Sequence, residues 1–464
     1  MALIPERFES FRQGTSQNAR LAEPDHQWSS SAHTARAANG FVPLQPVSLV
    51  DAGLGEGHVE ALILKYLLNV GTATGLQIAD AICLPFAVID EHLRRLKAEQ
   101  TVFYKSGATL HDYVYELSEL GHERALRCLQ KCSYCGPAPV SLADYAAGVR
   151  AQSIDNSEVS LERVRHAFDE LLLNEDLLSR VGQAVHSGRG LFLHGPAGNG
   201  KTSIAERLTK VLGDNIWIPH SMIVAGEIIQ VFDPGVHEAV PTEEDLSLLD
   251  ELRIDERWIR IRRPTVVVAG ELTLDNLELA RGSSVGVSEA SLQLKSNCGT
   301  LVIDDFGRQR FRPEELMNRW IMPLEKKFDL LTLPSGIKVK VPFDQLIVFA
   351  TNLEPSDLVE EAFLRRVPYK IEMKDPTSAE FIRLFQLAAR QRGFQCSEEA
   401  GQYLIETHYR QANREMRFCH PRDLLEQMVH RCSLLGLPRV VTHETIDTAV
   451  QNYFGLVAAR STLL

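Results

Sequence analysis

The sequence is short of several things, and each shortage narrows the field. No apolar run approaches the ~18 residues that a membrane span requires, and the opening Met1-Ala2-Leu3-Ile4-Pro5-Glu6-Arg7 lacks the apolar core of a secretory signal. A cytoplasmic protein without a membrane span is therefore the expectation. Cationic surplus is missing too: 49 Lys and Arg face 61 Asp and Glu, a net charge of −12. That argues against a broadly basic nucleic-acid surface while leaving room for a local patch. Cysteine is sparse, with eight in 464 residues, which suits a reducing compartment. Cys128, Cys132 and Cys135, with His122 upstream, have part of a zinc-site spacing but no second Cys-x-x-Cys pair, so reduced thiols on a helix end and turn are the favoured reading. No internal repeat or long low-complexity block stands out. What the chain does have is 44% hydrophobic residues and length for two to four domains.

The most specific feature is Gly195-Pro196-Ala197-Gly198-Asn199-Gly200-Lys201-Thr202, which follows the apolar run Leu191-Phe192-Leu193 and leads into an amphipathic helical stretch. Glycines at this spacing let backbone N–H groups converge on a polyphosphate, and the helix beginning near Gly200 adds its positive end. Lys201 would reach the terminal phosphates and Thr202 would ligate Mg²⁺. Downstream, Leu301-Val302-Ile303 reads as a buried strand ending in Asp304-Asp305. Asp304 would hold the Mg²⁺ shell and Asp305 would polarise an attacking water. A further buried run, Leu346 to Ala350, ends in Thr351-Asn352 and puts an amide at the same sheet edge, where Asn352 would orient that water. Binding of a nucleoside triphosphate follows from these residues.

From near Ser160 to near Phe454 the chain resembles the AAA+ ATPases. The segment Ala362-Phe363-Leu364-Arg365-Arg366 is similar to that family's arginine-finger segment, which implies that Arg365 or Arg366 acts on nucleotide held by a neighbouring subunit. His420-Pro421-Arg422-Asp423 is similar to the second sensor at the start of a lid helix, with Arg422 contacting nucleotide in its own chain. Guanidinium suits both tasks because it stabilises charge on a transferring phosphoryl group. The alternation around Pro334-Ser335-Gly336, from Asp329 to Val341, reads as a β-hairpin. It resembles the presensor hairpin of the clade that holds MoxR-like ATPases, as do Gly299-Thr300-Leu301 and Glu314-Glu315-Leu316-Met317 around the carboxylates. The resemblance implies ATP and Mg²⁺ as ligands, a homo-oligomeric ring, taken as a hexamer, and remodelling of a macromolecular partner, with a protein favoured.

Two departures limit the resemblance. The family usually has Asp-Glu where this chain has Asp304-Asp305, so the base is one methylene shorter and an ATP-gated switch with little turnover is an alternative. The interval from Lys201 to Asp304 exceeds the family's usual spacing by roughly 40 residues, which marks an insertion. Within it, Ile216 to Val224, Ala225-Gly226 and Ile228 to Phe232 read as a hairpin, followed by an acidic stretch from Glu243 to Glu256. Asp233 to Glu238 is a turn carrying a solvated His237. Arg257 to Pro264 is an edge strand protected by charge or an intersubunit acid–base contact with the preceding acidic stretch, ahead of a polyanion site.

The organisation expected is a flexible tail over 1–55, a winged-helix-like α+β module over 56–135, a linker over 136–159, an α/β parallel-sheet core with insertion over 160–374, and a helical lid over 375–464. In a DNA-reading module the helix carrying His92, Arg94, Arg95 and Lys97 would enter the major groove. Asp90, Glu91 and Glu99 dilute its field, so protein contact is favoured and a DNA-directed ATPase or transcription regulator is the alternative. The Gly-Ala-Phe-Thr-Gly-Ala loop of the enhancer-binding activators is absent.

Overall fold

A computed structural model describes residues 34–37, 40–107, 112–241, 253–282 and 284–458. At its centre lie five parallel strands in the spatial order Thr265–Val268, Thr300–Ile303, Leu346–Thr351, Leu191–His194, Tyr369–Glu372. The three middle strands are buried along their whole length, as strands covered on both faces should be. Because side chains alternate across a strand, successive residues serve two different cores. Leu191, Leu193, Val302 and Val348 pack with the helices Glu175–His186 and Lys201–Leu212. Phe192, Ile303, Ile347 and Phe349 face the other way, against Trp320 and Phe363. The register pairs Thr351 with His194 and Ile303 with Phe349, so the loops leaving these strands open at one sheet edge.

After this sheet the chain builds the expected helical lid: Ser378–Gln391, Glu398–Ile405, His420–Leu435 and His443–Ala458. Phe381, Phe385, Leu424, Leu425, Met428 and Ile446 fill its core. Thr377 and Glu380 close a capping box at the first lid helix. The α/β core with a C-terminal helical lid is thus the observed fold class. The hairpin around Ser335 is also present, with Phe328–Thr332 antiparallel to Lys338–Pro342.

The insertion differs in detail from its sequence reading. The apolar run from Ile216 to Val224 divides at His220, whose backbone N–H bonds Arg257 O and whose O receives Val231 N–H. Asn215–Pro219 then pairs antiparallel with Trp258–Arg262, whereas Ser221–Val224 forms the hairpin with Glu227–Gln230. One hydrophobic run therefore serves two sheets. His237 is buried rather than solvated: its Nδ1 accepts from Asp233 N–H at 3.0 Å and its Nε2–H donates to Lys295 O at 2.9 Å. Most of the acidic stretch Glu243 to Glu256 lies outside the described residues, as do the first 33 residues of the expected tail. Residues 40–55 are built in, through strand Gly40–Pro43 and the buried Ala52 and Leu54.

The segment 136–159 is likewise folded. It contains strand Val140–Ser141 and helix Leu142–Ala151, whose Tyr145 and Val149 pack into the insertion's core.

The N-terminal module runs Glu56–Val70, Thr72–Thr74, Gly75–Ile82, Phe86–Ala98, Val102–Gly107, Tyr113–Leu117 and Glu119–Lys131. Its three short strands form an antiparallel sheet with Tyr113–Leu117 in the middle. The closing helix sits so near the sheet that a Cβ on Gly121 would lie 2.0 Å from Thr101 O. One buried group ties the segments on either side of this module to the insertion. Arg257 pairs bidentately with Asp255, Nη2 to Oδ2 at 2.8 Å, and donates from Nη1 to Ala52 O at 2.8 Å and Pro139 O at 3.5 Å. Ser133 N–H adds a bond to Val285 O at 2.8 Å.

Candidate active site

The loop between Leu191–His194 and Lys201–Leu212 turns through three glycines at positive φ, Gly195, Gly198 and Gly200. Two of them also sit where no side chain fits. A Cβ on Gly195 would lie 2.7 Å from Met373 O, and one on Gly198 would lie 2.6 Å from Cys419 Sγ. The loop ends at the N-terminus of a 12-residue helix, and Gly200, Lys201, Thr202 and Ser203 line the adjoining cavity.

Five side chains named by the sequence meet beside this loop. Thr202 Oγ1 donates to Asp304 Oδ2 at 2.8 Å. Lys201 Nζ donates to Gly195 O at 2.8 Å, Pro196 O at 2.9 Å and Asn352 Oδ1 at 2.6 Å. Asn352 Nδ2 in turn donates to Asp305 Oδ1 at 3.2 Å. Asn352 thus links the lysine to the second carboxylate. Burial draws the Lys201 ammonium below the ordinary lysine range, an effect opposed by the Asp304 and Asp305 carboxylates.

These groups line a cavity of about 790 Å³ between the sheet edge and the lid. Leu171, Leu173, Leu177 and Leu384 give it an apolar wall, and Arg422 and Phe418 come from the lid side. Arg422 is at the cavity as expected, with Nε on Asp423 Oδ1 at 3.0 Å. Arg365 and Arg366 are elsewhere. Arg365 pairs with Glu361 at 2.9 Å and Arg366 with Glu325 at 2.6 Å, and neither lines the cavity.

Sequence reasoning missed the contact that joins loop and lid. Asn199, 2% exposed, donates to Met373 O at 3.2 Å and Asp375 Oδ1 at 2.7 Å, and its Oδ1 accepts from Phe418 N–H at 3.3 Å. Cys419 N–H bonds Gly198 O at 2.9 Å, and Arg417 pairs with Asp375. Thr377 caps the first lid helix, while Asp375, two residues earlier, joins the glycine loop to the lid. No local pattern announces this, because the partners are 176 residues apart. Arg308 was missed as well, although its place three residues after Asp305 puts it on the cavity wall.

The other candidate groups do not assemble a second site. Among the described residues, no cluster of three or more His, Cys, Asp or Glu side chains is placed to hold a metal ion. Cys128, Cys132 and Cys135 are free thiols, and His122 Nδ1 lies 3.0 Å from Ser118 O on its own helix. On the helix proposed for DNA reading, Arg94 pairs with Asp90, Arg95 with Glu56 and Glu60, and His92 is buried. Lys97 lies 3.6 Å from the Tyr104 ring centroid. No helix among the described residues is long and apolar enough to cross a membrane.

Comparison with known proteins adds little beyond this geometry. A family model described as a domain of unknown function (DUF8689) matches residues 377–452, within the lid. No curated protein matches the chain. Among solved structures, the chain is similar to the RuvB Holliday junction branch migration motor of Thermotoga maritima, at 14% identity, 63% of this chain, 73% of that chain and TM-score 0.36. It is also similar to NtrX from Brucella abortus in complex with ATP, at 13% identity, 61% of this chain, 57% of that chain and TM-score 0.37. The functional reading rests on the chain's own residues.

Proposed function

We propose that this chain is an ATP-hydrolysing AAA+ ATPase of the MoxR-like clade. It works as a homo-oligomeric ring, hexameric by resemblance, to remodel a protein recruited through a winged-helix N-terminal module. The observation that carries the reading is the hydrogen bond between Thr202 and Asp304, formed beside Lys201 and Asn352 at the mouth of a glycine loop.

Magnesium fits this pair. It takes oxygen ligands at ~2.0–2.1 Å in an octahedron, whose neighbouring corners are then ~2.8–3.0 Å apart; the two oxygens here are 2.8 Å apart. Bound there, Mg²⁺ would supply charge for the phosphates, held by Thr202 and Asp304. The protein's own groups do the rest: backbone N–H groups of the loop and Lys201 hold phosphate, Asp305 takes a proton from water, and Asn352 orients that water. Lys201 must release Asn352 to take the terminal phosphate, and this frees Asn352 and Asp305 to face the water. Arg365 or Arg366 acts on the nucleotide of a neighbouring subunit, in keeping with their position away from their own cavity.

Protein is favoured over DNA as the partner because the arginines of helix Phe86–Ala98 are held in ion pairs within the module. The test is steady-state ATP turnover of the full chain against its own concentration, with and without duplex DNA, using Lys201→Ala as the blank. Turnover that rises with concentration and ignores DNA is expected. Tight ATP binding with turnover no higher than the blank at every concentration would refute the ATPase reading and leave the ATP-gated switch.

A further inference from the structure

The cavity wall carries one guanidinium that the expected machinery does not use. Arg308 follows Asp305 by three residues and lines the same cavity; its backbone N–H bonds Asp305 O at 3.0 Å, while its guanidinium has no hydrogen-bond or ion-pair partner among the described residues. The other arginines on that wall are committed: Arg180 to Lys370 O at 2.9 Å, and Arg422 to Asp423 at 3.0 Å.

The turn that presents Arg308 is firmly built. Phe306 N–H bonds Ala350 O at 2.8 Å, and Thr351 Oγ1 donates to Phe306 O at 2.8 Å, fixing the turn to the neighbouring strand. Gln309 closes it from below, donating to Asp304 O at 3.1 Å and accepting from Gly307 N–H at 2.9 Å. Gly307 adopts φ 101°, and a Cβ there would meet Leu358 Cδ2 at 2.6 Å. The backbone is held on several sides while the arginine side chain is left exposed at the cavity. A planar cation so placed meets an anion whose oxygens accept several hydrogen bonds.

We propose that Arg308 contacts the terminal phosphate of the nucleotide bound in its own chain, so that this site distinguishes triphosphate from diphosphate with a cis arginine. The proposal rests on the ATP-site reading above. With the terminal phosphoryl present, Arg308 bridges it to the Asp304–Gln309 turn; with ADP, it returns to solvent. Discrimination between the two nucleotides is then a property of the single chain, before any neighbour contributes.

The test is calorimetric binding of ATPγS and of ADP, each with Mg²⁺, to the wild-type chain, Arg308→Ala and Arg308→Lys. Arg308→Ala should weaken ATPγS about tenfold or more while leaving ADP within about twofold, in line with one charge-assisted hydrogen-bonded contact. Arg308→Lys should restore part of the loss. Since Arg308 is exposed, unchanged circular dichroism serves as the folding control. Equal weakening of both nucleotides, or no change in their ratio, overturns the proposal alone. Failure of the wild-type chain to bind either nucleotide removes the ATP-site reading and this inference together. A mixture of Arg308→Ala and Lys201→Ala chains that regains the wild-type preference would place Arg308 in a neighbour's site and overturn the cis assignment.

Discussion

The bond between Asn199 and Asp375 ought to hold the lid against the phosphate loop, and its strength can be worked out before it is measured. The two groups are 2.7 Å apart, Asn199 is 2% exposed and the Asp375 side chain is 29% exposed. A hydrogen bond to an ionised carboxylate contributes about 1.5–3 kcal/mol, and the partial exposure of Asp375 lowers the expectation to about 1–2 kcal/mol. That corresponds to a factor of roughly 5 to 30 in a local opening equilibrium. Cys419 reports on that opening because its N–H bonds Gly198 O and its thiol lies against the loop. Site-resolved thiol labelling of Cys419 in the wild-type chain, Asn199→Ala, Asp375→Ala and the double variant forms a cycle. Each single variant should speed labelling at least fivefold, and the double variant should be slower than the product of the two effects by a similar factor. Effects that multiply independently within twofold would show that the pair does not hold the lid, whatever its distance.

Other consequences are as direct. Asp305→Asn keeps the acceptor for Asn352 while removing the proposed base, so nucleotide binding should persist and turnover should fall to the Lys201→Ala level; normal hydrolysis would displace Asp305 from its proposed role. His420 is held at a pKa of about 4, by burial first and by the Arg417 cation second, among the rings of Tyr409, Tyr453 and Phe454. Its folded pKa lies below the usual ~6.5 of the unfolded chain, so the neutral ring favours folding above that value. Lid stability should therefore decline as pH drops from about 6.5 towards 4, and thermal melts of His420→Gln should show a shallower decline. Arg257→Met leaves Asp255 buried without its partner, and urea titration should register a loss of about 3–5 kcal/mol. Gly121→Ala should destabilise the N-terminal module, because backbone at Thr101 blocks the new methyl; an unchanged melting temperature would contradict that packing.

Much of the site was legible because its parts are local. A glycine loop between an apolar strand and an amphipathic helix, a strand ending in Asp304-Asp305 and another ending in Asn352 are each readable over fewer than a dozen residues. The lid helices and the Ser335 hairpin were legible for the same reason, through caps, turn residues and periodicity. Partner choice was not. The run from Ile216 to Val224 has one hydrophobic pattern, but its halves pair in different sheets, and only the backbone bonds of His220 to Arg257 and Val231 decide the division. Residues 136–159 begin with a Gly-Pro-rich stretch that signals a break, whereas Tyr145 and Val149 fill a core assembled from strands far downstream. Asn199 sits where the phosphate-loop pattern specifies no residue type, and its three partners come from two segments beyond residue 370. Such hydrogen bonds satisfy buried groups across the fold and leave no period in the sequence.

The buried tie through Arg257 bears on where the N-terminal module sits relative to the core. Because Ala52 O and Pro139 O, just before and just after the N-terminal module, are both anchored by one guanidinium on the insertion, the module has a fixed address rather than a tether's search volume. Whatever the module holds is presented from one direction and at one distance. Its local concentration at the α/β core is then set by geometry, and does not decay with linker length as it would for a module on a flexible string.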